Sequence, residues 1–204
     1  MKSHSWIPAA AIATLGLLMF QNSLVLLLWQ NGVGSGAALA LTRDAGLAVR
    51  MGNYYFNGGG YDLEKAEWAY RRAMEIDPGV KSAHYQLGRI QFLRGNFVEA
   101  TDYINQEIAL HPEIPNSLYV RGLIGGYAGR YTDAAKDFSR FIKLVPGQWA
   151  GYNDLAWIFA KQGDFRSAEA AILQAFERIP GETERNPWLW TSLGVARLNL
   201  KEYH

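Results

Sequence analysis

The stretch SAHYQLGRIQFLRGNFVEATDYINQEIALHP, Ser82–Pro112, decides the fold. His84, Leu87, Gly88 and Gln91 fall at offsets of 0, 3, 4 and 7. That spacing puts them on one helical face. Gly95 breaks the helix, and a second one is expected from Phe97, with Ala100, Ile104 and Ile108 on its inner side. Pro112 closes the pair, because proline cannot continue a helix. Small residues at Gly88 and Ala100 let the two helices approach closely.

The same pattern returns along the chain with a step of 34 residues. Pro78, Pro112, Pro146 and Pro180 share one column, and Ala66, Ala100, Ala134 and Ala168 share another. Gly95, Gly129 and Gly163 mark the break. Leu63, Phe97, Tyr131 and Phe165 open the second helices. Gly88, Gly122 and Ala156 occupy a crowded small-residue column, and Tyr70, Ile104, Phe138 and Ile172 complete the set. A fixed period of this length signals a stack of helix pairs, each burying its apolar face on its neighbours.

These columns together resemble the tetratricopeptide repeat (TPR). The resemblance covers residues 44–204. Full units lie at 81–114, 115–148 and 149–182. A divergent first unit occupies 43–80, with its first helix near Asp44–Phe56 and a turn swollen by NGGGYD. After Pro180 the register slips by four residues. Residues 187–204 then read as the first helix of an incomplete fifth unit, with Leu193, Gly194 and Tyr203 in the repeat roles. That helix has one face for the preceding unit and another that its partner helix would normally cover. Either the chain is part of a longer one, the favoured expectation, or another subunit covers that face.

The resemblance implies an all-α, right-handed superhelical solenoid whose concave groove is lined by first helices. It places Tyr85, Arg89 and Phe92 on that lining, then Tyr119, Leu123 and Gly126, then Asn153, Trp157 and Ala160, with Tyr127 and Lys161 beside them. The candidate partner-binding residues are therefore Tyr85, Arg89, Phe92, Tyr119, Leu123, Tyr127, Asn153 and Trp157. This lining is aromatic and carries few charges. It suits a protein segment with apolar anchors, since rigid rings give large contact area at little entropy cost. The competing reading is that the rings only cover the core between helices. Family members that clamp a terminal carboxylate use a lysine- and asparagine-rich set. Tyr85, Arg89, Asn116, Tyr119 and Val120 stand here instead, which argues against such a clamp.

Glu107 and Arg121 occupy positions that are usually apolar or small. They are expected to pair with each other, because an unpaired buried charge is costly. The alternative is that both reach solvent along their stems.

The amino-terminal part has a different character. Residues 1–5 form a flank, and 6–30 read as a single transmembrane helix. Ile7–Trp29 is 23 residues without a charge. It would span about 35 Å as a helix, enough for a bilayer core. Trp6 and Trp29 bracket it at the expected interfaces. Gln21, Asn22 and Ser23 interrupt it at bilayer depth and are candidate contacts to another helix. A second reading is a cleaved signal peptide ending near Ala38–Ala40, although the apolar core is long for one. Residues 31–42 form a small-residue linker, within which GVGSGA lacks the preceding strand and following acid of a dinucleotide site. Lys2 on one side and Arg43 on the other favour a cytoplasmic amino terminus and an extracytoplasmic repeat domain.

Composition narrows the function. Of 20 basic residues only Lys2 precedes residue 43, so residues 43–204 carry 19 basic and 19 acidic residues. Such a balance gives no field for a nucleic acid. Cysteine is absent, and His4, His84, His111 and His204 show no metal-ligand spacing. No nucleophile elbow or phosphate-cradling loop occurs. The expectation is a non-enzyme without cofactor or metal. It is either a membrane-anchored adaptor that binds protein partners, or an accessory subunit held in a multisubunit membrane complex by both its helix and its repeats.

Overall fold

The computed structural model describes residues 40–58 and 61–200. The expected transmembrane segment, with Gln21, Asn22 and Ser23, lies outside the described residues, as do most of the linker and Tyr203. Among the described residues, no helix is long and apolar enough to cross a membrane.

The described chain is helical. Its elements are α1 (Ala45–Asn53), a π-helical turn (Tyr54–Gly58), α2 (Leu63–Ile76), α3 (Ala83–Leu93), α4 (Phe97–Leu110) and α5 (Pro115–Tyr127). They continue as α6 (Tyr131–Leu144), α7 (Trp149–Lys161), α8 (Phe165–Arg178), a short α9 (Pro180–Thr183) and α10 (Pro187–Leu200). The four second helices, α2, α4, α6 and α8, each have 14 residues and begin at the expected column of Leu63, Phe97, Tyr131 and Phe165. Each ends two residues before a proline of the column Pro78, Pro112, Pro146 and Pro180.

The breaks between paired helices share one geometry. Gly95, Gly129 and Gly163 take φ of 79°, 75° and 77°, the left-handed region that glycine enters without strain. The next amide after each reaches back across the turn. Asn96 N donates to Gln91 O at 2.9 Å, Arg130 N to Gly125 O at 2.8 Å and Asp164 N to Phe159 O at 2.9 Å. These bonds satisfy carbonyls that the helix end leaves open.

The chain divides into two compact units, residues 1–86 and 87–204. In the first, Asp44 caps α1 and Asp62 caps α2 by accepting from Leu47 N and Lys65 N. The Lys65 amide is the main reason the Asp62 carboxyl lies below its usual range. Tyr70 is fully buried, and its ring lies against Gly52, where a Cβ would sit 2.5 Å from the ring. Asn53 Oδ1 accepts from Tyr70 OH at 2.8 Å and from Gln86 Nε2 at 2.9 Å.

In the second unit the crowded columns pack as their spacing predicts. Ile104 closes on Gly88 and Phe138 on Gly122, with a Cβ on either glycine falling 2.7 Å and 2.9 Å from those side chains. Ala100, Ala134 and Ala168 are buried. Ala134, Phe138, Ile158, Ile172, Leu189 and Leu193 belong to one continuous core running from α6 to α10. Burying each large aliphatic side chain contributes about 1.5–3 kcal/mol.

Two expectations are corrected. Arg121 does not pair with Glu107. Its guanidinium grips Asp137 on α6, Nε to Oδ2 at 2.8 Å and Nη2 to Oδ1 at 2.7 Å, and Nη1 donates to Asn105 at 2.8 Å. Glu107 is fully buried, so it does not reach solvent either. Among the described residues nothing lies within 4 Å of a Cβ placed on Gly194, and the second helix expected to face it, from Tyr203, lies outside the described residues. Leu193 is buried as expected.

Candidate functional site

The candidate lining must be built from one helix face at a time. At about 100° per residue, Tyr119, Leu123 and Tyr127 fall within about 80° on α5. Tyr119 and Leu123 are partly buried and pack against the core, while Tyr127, the last residue of α5, is 62% exposed.

Tyr127 sits at the centre of a row of rings. Phe92 of α3 meets it edge-on at 5.4 Å, and Trp157 of α7 meets it at 5.3 Å. Phe97, at the start of α4, continues the row beyond Phe92 at 6.1 Å. Gly126 makes the close approach possible. A Cβ there would lie 2.5 Å from the Trp157 ring, so the ring rests on the backbone of α5. Gly126 is therefore covered by Trp157 rather than open in a groove.

A polar row runs alongside. Tyr119 meets Phe138 edge-on at 5.6 Å and Phe141 at a tilt at 5.0 Å, and donates its hydroxyl hydrogen to Asp154 Oδ2 at 2.6 Å. Asn153 Nδ2 donates to Asp154 Oδ1 at 3.3 Å, and Ser192 Oγ donates to Asn153 Oδ1 at 2.8 Å. These bonds tie α5, α7 and α10 together across one side of the second unit. Desolvation pushes the Asp154 carboxyl above its usual range, against the two hydrogen bonds that favour its charged form.

The second unit thus brings together Phe92, Tyr127 and Trp157, and separately Tyr119 and Asn153. Leu123 packs on the core beneath them, and Arg89 is half-buried on α3. Tyr85 falls in the first unit and is half-buried. Sequence reasoning missed Asp154 and Ser192. On α10, whose second face the sequence leaves without its partner helix, Trp188, Val195 and Leu198 are exposed. The slip of four residues locates two of the exposed positions: 157 and 160 advanced by 38 give Val195 and Leu198.

Among the described residues, no group of three histidines, aspartates or glutamates is placed to hold a metal ion. The side chains that converge offer contact area and hydrogen bonds.

The tetratricopeptide repeat family profile matches residues 49–115 and 119–184, well over half of the chain. The chain belongs to this family. It is 30% identical over 124 residues to the Photosystem I assembly protein Ycf3 of Acaryochloris marina (strain MBIC 11017), covering 53% of this chain and 75% of that protein. It is 30% identical over 110 residues to the outer membrane protein assembly factor BamD of Caulobacter vibrioides (strain ATCC 19089 / CIP 103742 / CB 15), covering 50% of this chain. That match spans only 36% of the BamD chain. The crystal structure of YrrB, described as a TPR protein with an unusual peptide-binding site, superposes with a TM-score of 0.64 at 18% identity. It covers 79% of this chain and 80% of YrrB, a likeness of fold.

Proposed function

We propose that this chain is a non-catalytic TPR scaffold that holds a protein partner along the face formed by α3, α5 and α7, and that its amino-terminal apolar segment anchors it in a membrane. The observation that carries the reading is Tyr127, a large aromatic left exposed at 62% between two other rings. A ring held by its neighbours and open on one side has already lost its rotamer freedom, so a partner's apolar side chain gains contact area at small entropic cost. Few charges line this face, so the partner segment is expected to be apolar rather than strongly charged. The names of Ycf3 and BamD, both assembly proteins, agree with a scaffold role, and the peptide-binding site described for YrrB agrees with a peptide as ligand.

The anchor rests on the sequence: 23 uncharged residues from Ile7 to Trp29. Within them the polar run Gln21–Ser23 favours a second reading, an accessory subunit docked among other membrane helices. Facing another helix, each such side chain is worth about 0.6–2 kcal/mol. A lone tether has no use for them.

Purification of the full chain in mild detergent distinguishes the two readings. An adaptor brings a protein in less than equal amount, and that protein is lost from Tyr127→Ala. A built-in subunit brings membrane proteins in equal amount, and Gln21→Leu with Asn22→Leu loosens them. A full chain that carries no specific protein under either condition contradicts both.

A further inference from the structure

We propose that a cavity on the side of α5 away from the aromatic row is a second binding site, shaped for the carboxylates of a short acidic protein segment. The cavity measures about 450 Å³ and is walled by Arg121, Arg130, Asp133, Lys136, Asp137 and Arg140. That volume is in the range of ligand sites, about 300–1,000 Å³. At about 100° per residue, Arg121 lies about 160° around α5 from Tyr119 and Leu123 and about 120° from Tyr127, so the two sites lie on different sides of the helix. Gly125 and Ala134 leave the room: a Cβ on Gly125 would already stand 3.3 Å from that of Ala134.

The charges in the cavity do not cancel. Asp137 takes Arg121 with two bonds of 2.7 Å and 2.8 Å, and Asp133 takes Lys136 at 3.2 Å. Each acid is thereby matched to one base. Arg130 and Arg140 remain. Arg130 Nη2 donates to the hydroxyl of Thr101 at 2.8 Å. A hydroxyl orients the guanidinium without neutralising it. Among the described residues, no hydrogen bond or ion pair engages Arg140. Two guanidinium groups, one of them held in place, thus face a space of side-chain size.

A guanidinium presents parallel N–H donors that match the two oxygens of a carboxylate. The surroundings select against denser anions. Asp133 and Asp137 stand on the same walls and repel a phosphate-rich polymer or membrane surface. The balanced charge of residues 43–204 supplies no long-range attraction that would overcome this. A protein segment with one or two acidic side chains fits both the volume and the residual charge.

The test is fluorescence anisotropy of labelled hexaglutamate titrated with the full chain in neutral detergent. Saturable binding that weakens with salt is expected. It should fall at least about tenfold in Arg130→Gln/Arg140→Gln, the loss of two charge-assisted contacts. Tyr127→Ala should bind the peptide as the wild type does, which separates this site from the aromatic face. Circular dichroism melting checks that each variant is folded, and Arg140→Gln alone serves if the double variant is not. No saturable binding, or equal binding by a folded arginine variant, overturns the proposal. So does competition by inorganic phosphate at lower concentration than by glutarate, which would assign the cavity to phosphoryl groups.

Discussion

Tyr119 on α5 and Asp154 on α7 are joined by a hydroxyl-to-carboxylate bond of 2.6 Å, between residues 35 apart in sequence. Phe92 and Tyr127 meet across the same interval, 127 less 92. Asn153 and Ser192 are 39 apart, the same step with the slip of four added. These three contacts between successive first helices share one offset, whereas Tyr127 meets Trp157 across 30 residues.

The Tyr119–Asp154 bond gives a prediction about pH. Desolvation raises the Asp154 carboxyl above its unfolded value. A raised carboxyl favours its neutral form in the folded state. Its contribution to stability is complete below the ordinary carboxyl range, near pH 3.8, and is lost as pH rises through the folded value. Asp154→Asn keeps an acceptor for the Tyr119 hydroxyl and removes the charge. It should raise the melting temperature by a few degrees at pH 7, and the difference should shrink towards pH 4. A constant difference across that range, read by circular dichroism, would contradict the assignment.

Two glycines of one repeat column are predicted to respond in opposite directions. Gly122→Ala drives a Cβ to within 2.9 Å of the Phe138 ring and should cost about 1–3 kcal/mol. Gly194→Ala meets nothing within 4 Å among the described residues and sits inside α10. It should stabilise by about 0.5–1 kcal/mol through helix propensity alone. Urea melts of the two variants check the pair. A loss at Gly194 as large as at Gly122 would mean that a further helix stands over it.

Arg121 and Asp137 are expected to be energetically coupled, and Arg121 and Glu107 are not. The Asp137 side chain is 11% exposed and that of Arg121 29%, so the pair is only partly screened. Removing Arg121 should cost about 1–3 kcal/mol, much of it the cost of stranding Asp137. A double-mutant cycle should return a coupling for Arg121 with Asp137 and none for Arg121 with Glu107. The reverse result would refute the Arg121–Asp137 pairing.

Much of the fold is legible in the sequence because its columns are set by contacts that recur at one spacing. Facing residues on paired helices are 16 apart, as 88 with 104 and 122 with 138. Arg121 obeys the same rule: its partners Asp137 and Asn105 are each 16 residues away. A pairing with Glu107 follows from neighbouring columns alone and breaks that rule. In the first unit the interval is 18, from Gly52 to Tyr70, and the π-helical turn Tyr54–Gly58 lies within it. A search at a fixed period therefore passes over Gly52. The aromatic row is legible as a set of positions. Which rings lie against the core is not, because Tyr119 and Tyr127 occupy one face of α5 but differ in what the next helix places over them. Asp154 and Ser192 escape for the same reason: each matters only through a residue on another helix.

The most direct test of the scaffold reading is quantitative copurification of the full chain and of Tyr127→Ala/Trp157→Ala from native membranes in mild detergent. The double variant is expected to stay folded, stay in the membrane fraction and lose its protein partner at least about tenfold, as when clustered aromatic anchors are truncated. A folded double variant that retains the partner in full would contradict the scaffold reading.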